Sequence, residues 1–160
     1  MDKIQLHLGC DKRYLKNYVH IDLADYPHID FHHNVKTLPM FKDNSVDLIY
    51  ASHIVEYFDR FEVMEVLQEW HRVLKNKGIL RIAVPNFTEL VKVYLNSQDL
   101  NLILGPLYGR WPVTENDLVL YHKTVYDYNS LSDIIISLGF ANIRRWKWQD
   151  VFSNENEGFD

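Results

Sequence analysis

Gly9 and Asp22 each close a short apolar run, residues 4–8 before the glycine and Ile21 before the aspartate. A glycine lets the backbone come close to a ligand. A carboxylate at the end of the next buried strand can accept two hydroxyl hydrogen bonds from a ribose. A buried strand, a glycine turn and an acidic strand end together read as the nucleotide-binding half of a doubly wound α/β sheet. Taken alone, Asp22 is equally a solvated carboxylate at a strand end; Gly9 at the neighbouring strand end favours the ligand reading.

The turn Gly9-Cys10-Asp11 departs from the dinucleotide fingerprint. That pattern wants three glycines opening a helix whose N-terminus cradles a pyrophosphate. Here Asp11 occupies the second glycine position, and no third glycine precedes Asp22. Its carboxylate repels a diphosphate and tolerates a cation. S-adenosylmethionine, an adenosine ligand with an ammonium and a sulfonium, fits that turn better than NAD.

His53 and Glu56 are three residues apart at an expected helix start. In a helix they share one face. The bland reading is a polar pair that neutralises its own helix end. His122 lies beside Lys123 in an aromatic stretch, where an imidazole can take a proton from an acceptor hydroxyl or amine. It can equally be a surface histidine in a polar loop. No metal site is expected: the Cys and His spacing matches none, and His32 and His33, being adjacent, point to opposite faces of a strand. Residues 144–148 alternate Arg145 and Lys147 with Trp146 and Trp148. That is the pattern of a half-buried strand rather than a nucleic-acid patch.

These groups need elements to position them. Strands are expected over residues 4–8, 20–23, 31–35, 46–51, 79–84 and 143–148. The apolar spacing of Val63, Val66, Leu67, Trp70, Val73 and Leu74 predicts a helix over residues 60–75, stopped at Asn76-Lys77-Gly78. Asn86 can cap a helix running to about Leu95, and Asn129 or Ser130 one running to Leu138. The first two strands are joined by a loop with a helical turn. Residues 96–129, rich in tyrosine, are expected to form a lid or substrate loop. Strands alternating with helices imply one α/β domain over residues 1–160: a doubly wound, mostly parallel sheet with helices on both faces. Ligands of such sheets sit past the carboxyl ends of the strands. Gly9, Asp22, Asn34 and Ser52 all fall there.

In their order along the chain, Leu6-His7-Leu8-Gly9-Cys10, Ile21-Asp22-Leu23, Leu38-Pro39, Asp43-Asn44-Ser45-Val46-Asp47, Ser52-His53-Ile54-Val55-Glu56 and Arg72-Val73-Leu74-Lys75 resemble class I S-adenosylmethionine-dependent methyltransferases. The likeness is to the small bacterial type found near surface-polysaccharide genes. It implies a Rossmann-like fold, S-adenosylmethionine as cofactor and a small-molecule or saccharide acceptor methylated on oxygen or nitrogen. It further implies a cofactor site of His7, Gly9, Cys10, Asp11, Asp22, Leu23, Asn34, Val35, Ser52 and His53, with Asn34 near the adenine unless its side chain merely closes an Asx turn. Catalytic candidates are His53, Glu56 and His122, the last placed near the acceptor. Asp11 stands where the family has glycine, and Tyr57 where it has histidine. Those departures and the early chain end keep a degenerate, non-catalytic adenosyl-binding domain as the alternative. The family's closing antiparallel strand is expected to be missing, which would leave an open sheet edge and favour a homodimer.

Composition bounds the rest. The net charge of −5 argues against non-specific nucleic-acid binding. One cysteine excludes an internal disulfide framework. No signal peptide or membrane-length apolar run is apparent, so no membrane association and a cytoplasmic location are the default expectations.

Overall fold

The computed structural model describes residues 3–113 and 118–152. Its centre is a parallel five-stranded sheet of β1 (Gln5–Leu8), β2 (Val19–Asp22), β3 (Phe31–His32), β4 (Val46–Ser52) and β5 (Leu74–Ala83), in the order β3-β2-β1-β4-β5. Strand order reverses between β1 and β4, which creates a crevice at their carboxyl ends. The connection from β1 to β2 is made of turns, without a helix.

Side chains alternate across the sheet. Leu6 and Leu8 of β1, Ile21 of β2 and Ile49 and Ala51 of β4 enter the main core. Helix α1 (Glu62–Val73) covers that face with Val63, Val66, Leu67, Trp70 and Val73, all buried. Its Trp70 indole donates to the Val35 carbonyl at 2.8 Å, and its Arg72 binds Glu69, Asp43 and the Leu38 and Phe41 carbonyls. The loop from β3 to β4 is thereby tied to the helix. Helix α4 (Tyr128–Ser137) adds Ile135 to the same core.

The opposite face is aromatic. Register sets His7 between His20 and Tyr50, all buried. Leu15, Tyr18, Trp146 and Phe152 of the short helix α5 (Trp148–Phe152) close over that side. After β5 the chain forms α2 (Phe87–Ser97), α3 (Asn101–Tyr108) and a two-stranded antiparallel ribbon of β6 (Trp111–Pro112) and β7 (Val119–Leu120). Among the described residues no helix is long and apolar enough to cross a membrane.

Four expectations need correction. Residues 143–148 form no strand: Trp146 instead turns its indole onto the Ile82 carbonyl of β5 at 3.1 Å, and Trp148 opens α5. No described strand lies beyond β5 to hold them in a ladder. Helix α1 stops at Val73, and Asn76-Lys77-Gly78 lies within β5, where Lys77 has φ +67° and pairing with β4 shifts register. Asp127, not Asn129 or Ser130, caps α4; Ser130 completes a reciprocal capping box. The stretch 96–129 is not one loop but carries α3 and the ribbon.

Burial holds His7 down at about 3, with His20, Arg13 and His28 adding repulsion, and burial lowers His20 too despite Asp30. In the unfolded chain these imidazoles titrate near 6.5. The unfolded state then binds more protons below that value, so their stabilisation is complete above pH 6.5 and drains as pH falls toward 3. Carboxylates such as Glu62 contribute losses only below about 4.5. Urea unfolding should therefore show lower stability at about pH 5 than at about pH 7.5, with a smaller drop for His7→Phe. An equal drop in the variant would show that His7 is not the group responsible.

Candidate functional site at the carboxyl ends of the strands

The crevice begins at Gly9. Its φ is +65°, and a Cβ there would lie 2.7 Å from Ile54 Cδ1. Glycine is required both by the backbone conformation and by the chain leaving β4. Two residues on, Asp11 also adopts a left-handed conformation, φ +47°.

The carboxylate of Asp22, 2 % exposed, holds this turn. Asp11 N–H donates to Oδ2 at 2.7 Å, and Ala24 N–H to Oδ1 at 2.8 Å. Each oxygen keeps a further lone pair for a ligand hydroxyl. Cys10 is buried with its thiol pushed up to about 12, by burial first and then by Asp22. It is a packing residue held as a thiol. The Leu23 carbonyl accepts from His32 Nε2.

The other expected cofactor residues lie in mixed surroundings. Ser52 ends β4 and His53 follows it. Asn34 is exposed and closes an Asx turn, accepting from Lys36 N–H at 3.0 Å. Val35 is buried in the main core. His7 lies within the sheet among Tyr18, His20 and Tyr50, on its aromatic face rather than at a strand end.

His53, Glu56 and His122 come together. Glu56, 1 % exposed, sits in a 3₁₀ turn at Val55–Tyr57. Its Oε1 lies 3.2 Å from His53 Nδ1 and 3.9 Å from His122 Nε2. Donation from Nδ1 to the carboxylate leaves the His53 Nε2 lone pair free. That side chain is 62 % exposed, and its backbone φ of +54° is strained for histidine. His122 Nδ1 faces the Pro106 carbonyl at 3.1 Å, and its ring stands edge-on to Tyr57. Gly109 makes room: a Cβ there would collide with the imidazole.

Two tyrosines stand at this site: Tyr57, which the sequence marked only as a departure from the family's histidine, and Tyr126, which carried no distinguishing signal. Tyr57 has its phenol pushed up by burial and then by Glu56 and Asp11. Tyr126 is buried, and its phenol is pushed up to about 12 by burial and then by Glu56 and Asp59. Its hydroxyl and Glu56 Oε2 have no hydrogen-bond partner. Both residues line a small pocket with His122, Pro85, Pro106 and Val125. Among the described residues no group of three or more His, Cys, Asp or Glu is placed to hold a metal.

Comparison with known proteins agrees with this arrangement. Residues 7–82 match the family profile described as a methyltransferase domain. A curated protein of Methanocaldococcus jannaschii, itself uncharacterised, is 28 % identical over 130 residues, covering 78 % of this chain and 56 % of its own length. A SAM-dependent methyltransferase of Methanosarcina mazei superposes with a TM-score of 0.58 at 18 % identity, covering 86 % of this chain and 79 % of that one. One from Archaeoglobus fulgidus gives 0.57 at 16 %, covering 88 % and 62 %. A Haloferax volcanii methyltransferase, solved in complex with the Trm112 methyltransferase activator, gives 0.53 at 17 %, covering 86 % and 61 %. At these identities the superpositions speak for the fold. The chain spans 56 % to 62 % of the length of the Methanocaldococcus, Haloferax and Archaeoglobus proteins.

The Gly9 geometry is directly testable. Gly9→Ala should cost about 1–3 kcal/mol in urea unfolding, from left-handed strain plus the clash with Ile54. Adding Ile54→Ala should recover only the steric share, leaving the double mutant more stable than the two single losses predict. Simple additivity would mean that Ile54 does not dictate the glycine.

Proposed function

We propose that the chain is a class I S-adenosylmethionine-dependent methyltransferase and that it transfers a methyl group to an oxygen or nitrogen of a small-molecule or saccharide acceptor; the match of residues 7–82 to a methyltransferase domain supports this reading. The observation that carries this reading is the position of the His53–Glu56 pair, at the β4 end of the same crevice that Gly9 and Asp22 form from β1 and β2.

The residues fit the cofactor. Asp22 offers two oriented acceptor oxygens for ribose hydroxyls, and Gly9 keeps the crevice free of a side chain. Asp11 suits a cation and opposes a diphosphate. When bound there, S-adenosylmethionine supplies a methyl group on a positively charged sulfur. The protein's share is to bring the acceptor atom into line with that methyl and to exclude water. His53 Nε2 accepts the acceptor's proton, and Glu56, through Nδ1, holds the imidazole in the required tautomer and compensates its charge. His122, anchored on Pro106, forms the wall beside Glu56. The dyad of exposed His53 and buried Glu56 favours an active enzyme over a degenerate binding domain, because a scaffold gains nothing from a buried carboxylate aligned on a strained histidine.

We also propose that the protein is a homodimer. Helix α2 has no buried residue, and Leu95, Leu100, Leu102 and Tyr108 are exposed along α2 and α3. The two charged residues of these helices, Glu89 and Lys92, pair with each other at 2.8 Å. Within these two helices no charge is left unpaired to oppose its copy across such a face.

Two measurements test these readings. S-adenosylhomocysteine should raise the melting temperature, and Asp22→Ala should weaken its binding by about 1.5–3 kcal/mol, the value of hydrogen bonds to a charged group. A shift with NAD and none with S-adenosylhomocysteine would refute the assignment. Light scattering across a dilution series should show a dimer that Leu95→Asp with Leu102→Asp converts to monomer. A monomeric wild type at tens of micromolar would reject the interface.

A further inference from the structure

We propose that the Asp11 carboxylate makes the crevice discriminate by charge, so that S-adenosylmethionine binds in preference to S-adenosylhomocysteine, the product that lacks its methyl group and its positive charge. This rests on the methyltransferase reading and deepens it. The backbone at position 11 does not ask for a charged residue. It needs one that tolerates φ +47° and offers an N–H to Asp22 Oδ2, and asparagine meets both needs. What aspartate adds is a half-buried carboxylate in the turn after β1.

That carboxylate is held without being neutralised. Its side-chain partner is a phenol, the Tyr26 hydroxyl, which donates to it. The Tyr26 ring lies nearly parallel to His28, whose Nε2 is 3.9 Å from Cys10 Sγ, so the pair is tied back to the turn that carries Asp11. Asp11 is also close enough to Tyr57, in the turn after β4, to help push that phenol up. Its charge therefore bears on the crevice between the chain leaving β2 and the chain leaving β4. Asp22 and Glu56 are the other acids there, and among the described residues no lysine or arginine forms an ion pair with any of the three. Lys12 is exposed, and Arg13 acts on His7.

Cofactor and product share the adenosine and the zwitterionic amino acid, so every contact to those parts cancels in the ratio of their affinities. The sulfur remains. A carboxylate attracts a sulfonium and does nothing for a neutral thioether. Methyl transfer breaks the carbon–sulfur bond, leaves its electron pair on sulfur and discharges it. The attraction then ends with the reaction, which favours release of the product.

Isothermal titration with each ligand tests this without turnover. The wild type should bind S-adenosylmethionine more tightly than S-adenosylhomocysteine. Asp11→Asn, which keeps the backbone donor, should shrink that preference by about tenfold, the value of a partly screened charge pair, and should do so through the S-adenosylmethionine affinity. Raised salt should narrow the wild-type preference. Tyr26→Phe, which frees the carboxylate, should narrow it by less than Asp11→Asn. The proposal falls if the wild type shows no preference, if salt leaves it unmoved, or if Asp11→Asn weakens both ligands by one factor, since that marks a purely structural residue. In those cases both ligands still bind and the methyltransferase reading stands. Binding of neither ligand would discard that reading and this inference with it.

Discussion

One buried carboxylate organises the carboxyl end of the sheet. Asp22 accepts N–H donors from Asp11 and Ala24, so it closes the turn after β1 and the turn after β2 together. The parallel register of Leu8 with Ile21 brings those turns side by side, and Gly9 N–H donates to the Ile21 carbonyl. In most doubly wound sheets a helix beginning just after β1 stiffens this turn and presents its N-terminus to the ligand. Here residues 11–18 form turns instead. The carboxylate supplies the fixity that a helix would give, and it explains Asp11. Aspartate tolerates a left-handed backbone better than most residues, and its N–H is the donor that Asp22 needs.

The two faces of the sheet solve different packing problems. On one, Leu6, Leu8, Ile49 and Ala51 meet the apolar stripe of α1 and close tightly. On the other, His7, His20 and Tyr50 lie in register, and imidazoles must be buried neutral to stay there. That face is covered by a loop, an indole and a short helix rather than by a long one. The Trp146 indole, bonded to the Ile82 carbonyl, carries the last described segment back over the edge of β5. The acid sensitivity of this face is the cost of building it from histidine.

Much of the sheet and its ligand end was legible because it follows local rules. Apolar runs broken by Gly9 and Asp22 marked strand ends, and the spacing in α1 marked its buried stripe. The His53–Glu56 contact was legible from their spacing of three. What failed depended on the absence of neighbours. Residues 143–148 have strand character, but only the Trp146 indole reaches the edge strand β5 and no ladder with it forms, so tertiary context overrode propensity. The cap of α4 was misplaced because three polar residues within four positions, Asp127, Asn129 and Ser130, all suit that role, and the capping box alone distinguishes Asp127. His7 was grouped with the motif around it, though alternation along β1 sends it to the face opposite Leu6 and Leu8. Tyr126 could not be singled out among ten tyrosines, since its meaning lies in an unpartnered hydroxyl.

Glu56 joins the β4 end of the crevice to the segment at 122–124. Its carbonyl accepts from both Lys123 and Thr124 N–H, while its side chain meets His53 and His122. Glu62, the first residue of α1, clamps Lys123 and Lys36, and these partners hold its carboxyl down at about 2. Lys123 and Thr124 are thus fastened to the same short turn that carries the Glu56 carboxylate. Backbone and side chain of one residue then serve different ends: the carbonyl fixes the segment at 123–124, and the carboxylate holds His53 through Nδ1. Replacing Glu56 would disturb its contact with His53 and, through His122, the segment packed beside it, so the two effects would not be separated. His53, exposed and joined to Glu56 through a single ring nitrogen, separates them: a change there removes that contact and leaves Lys123, Thr124 and His122 fastened.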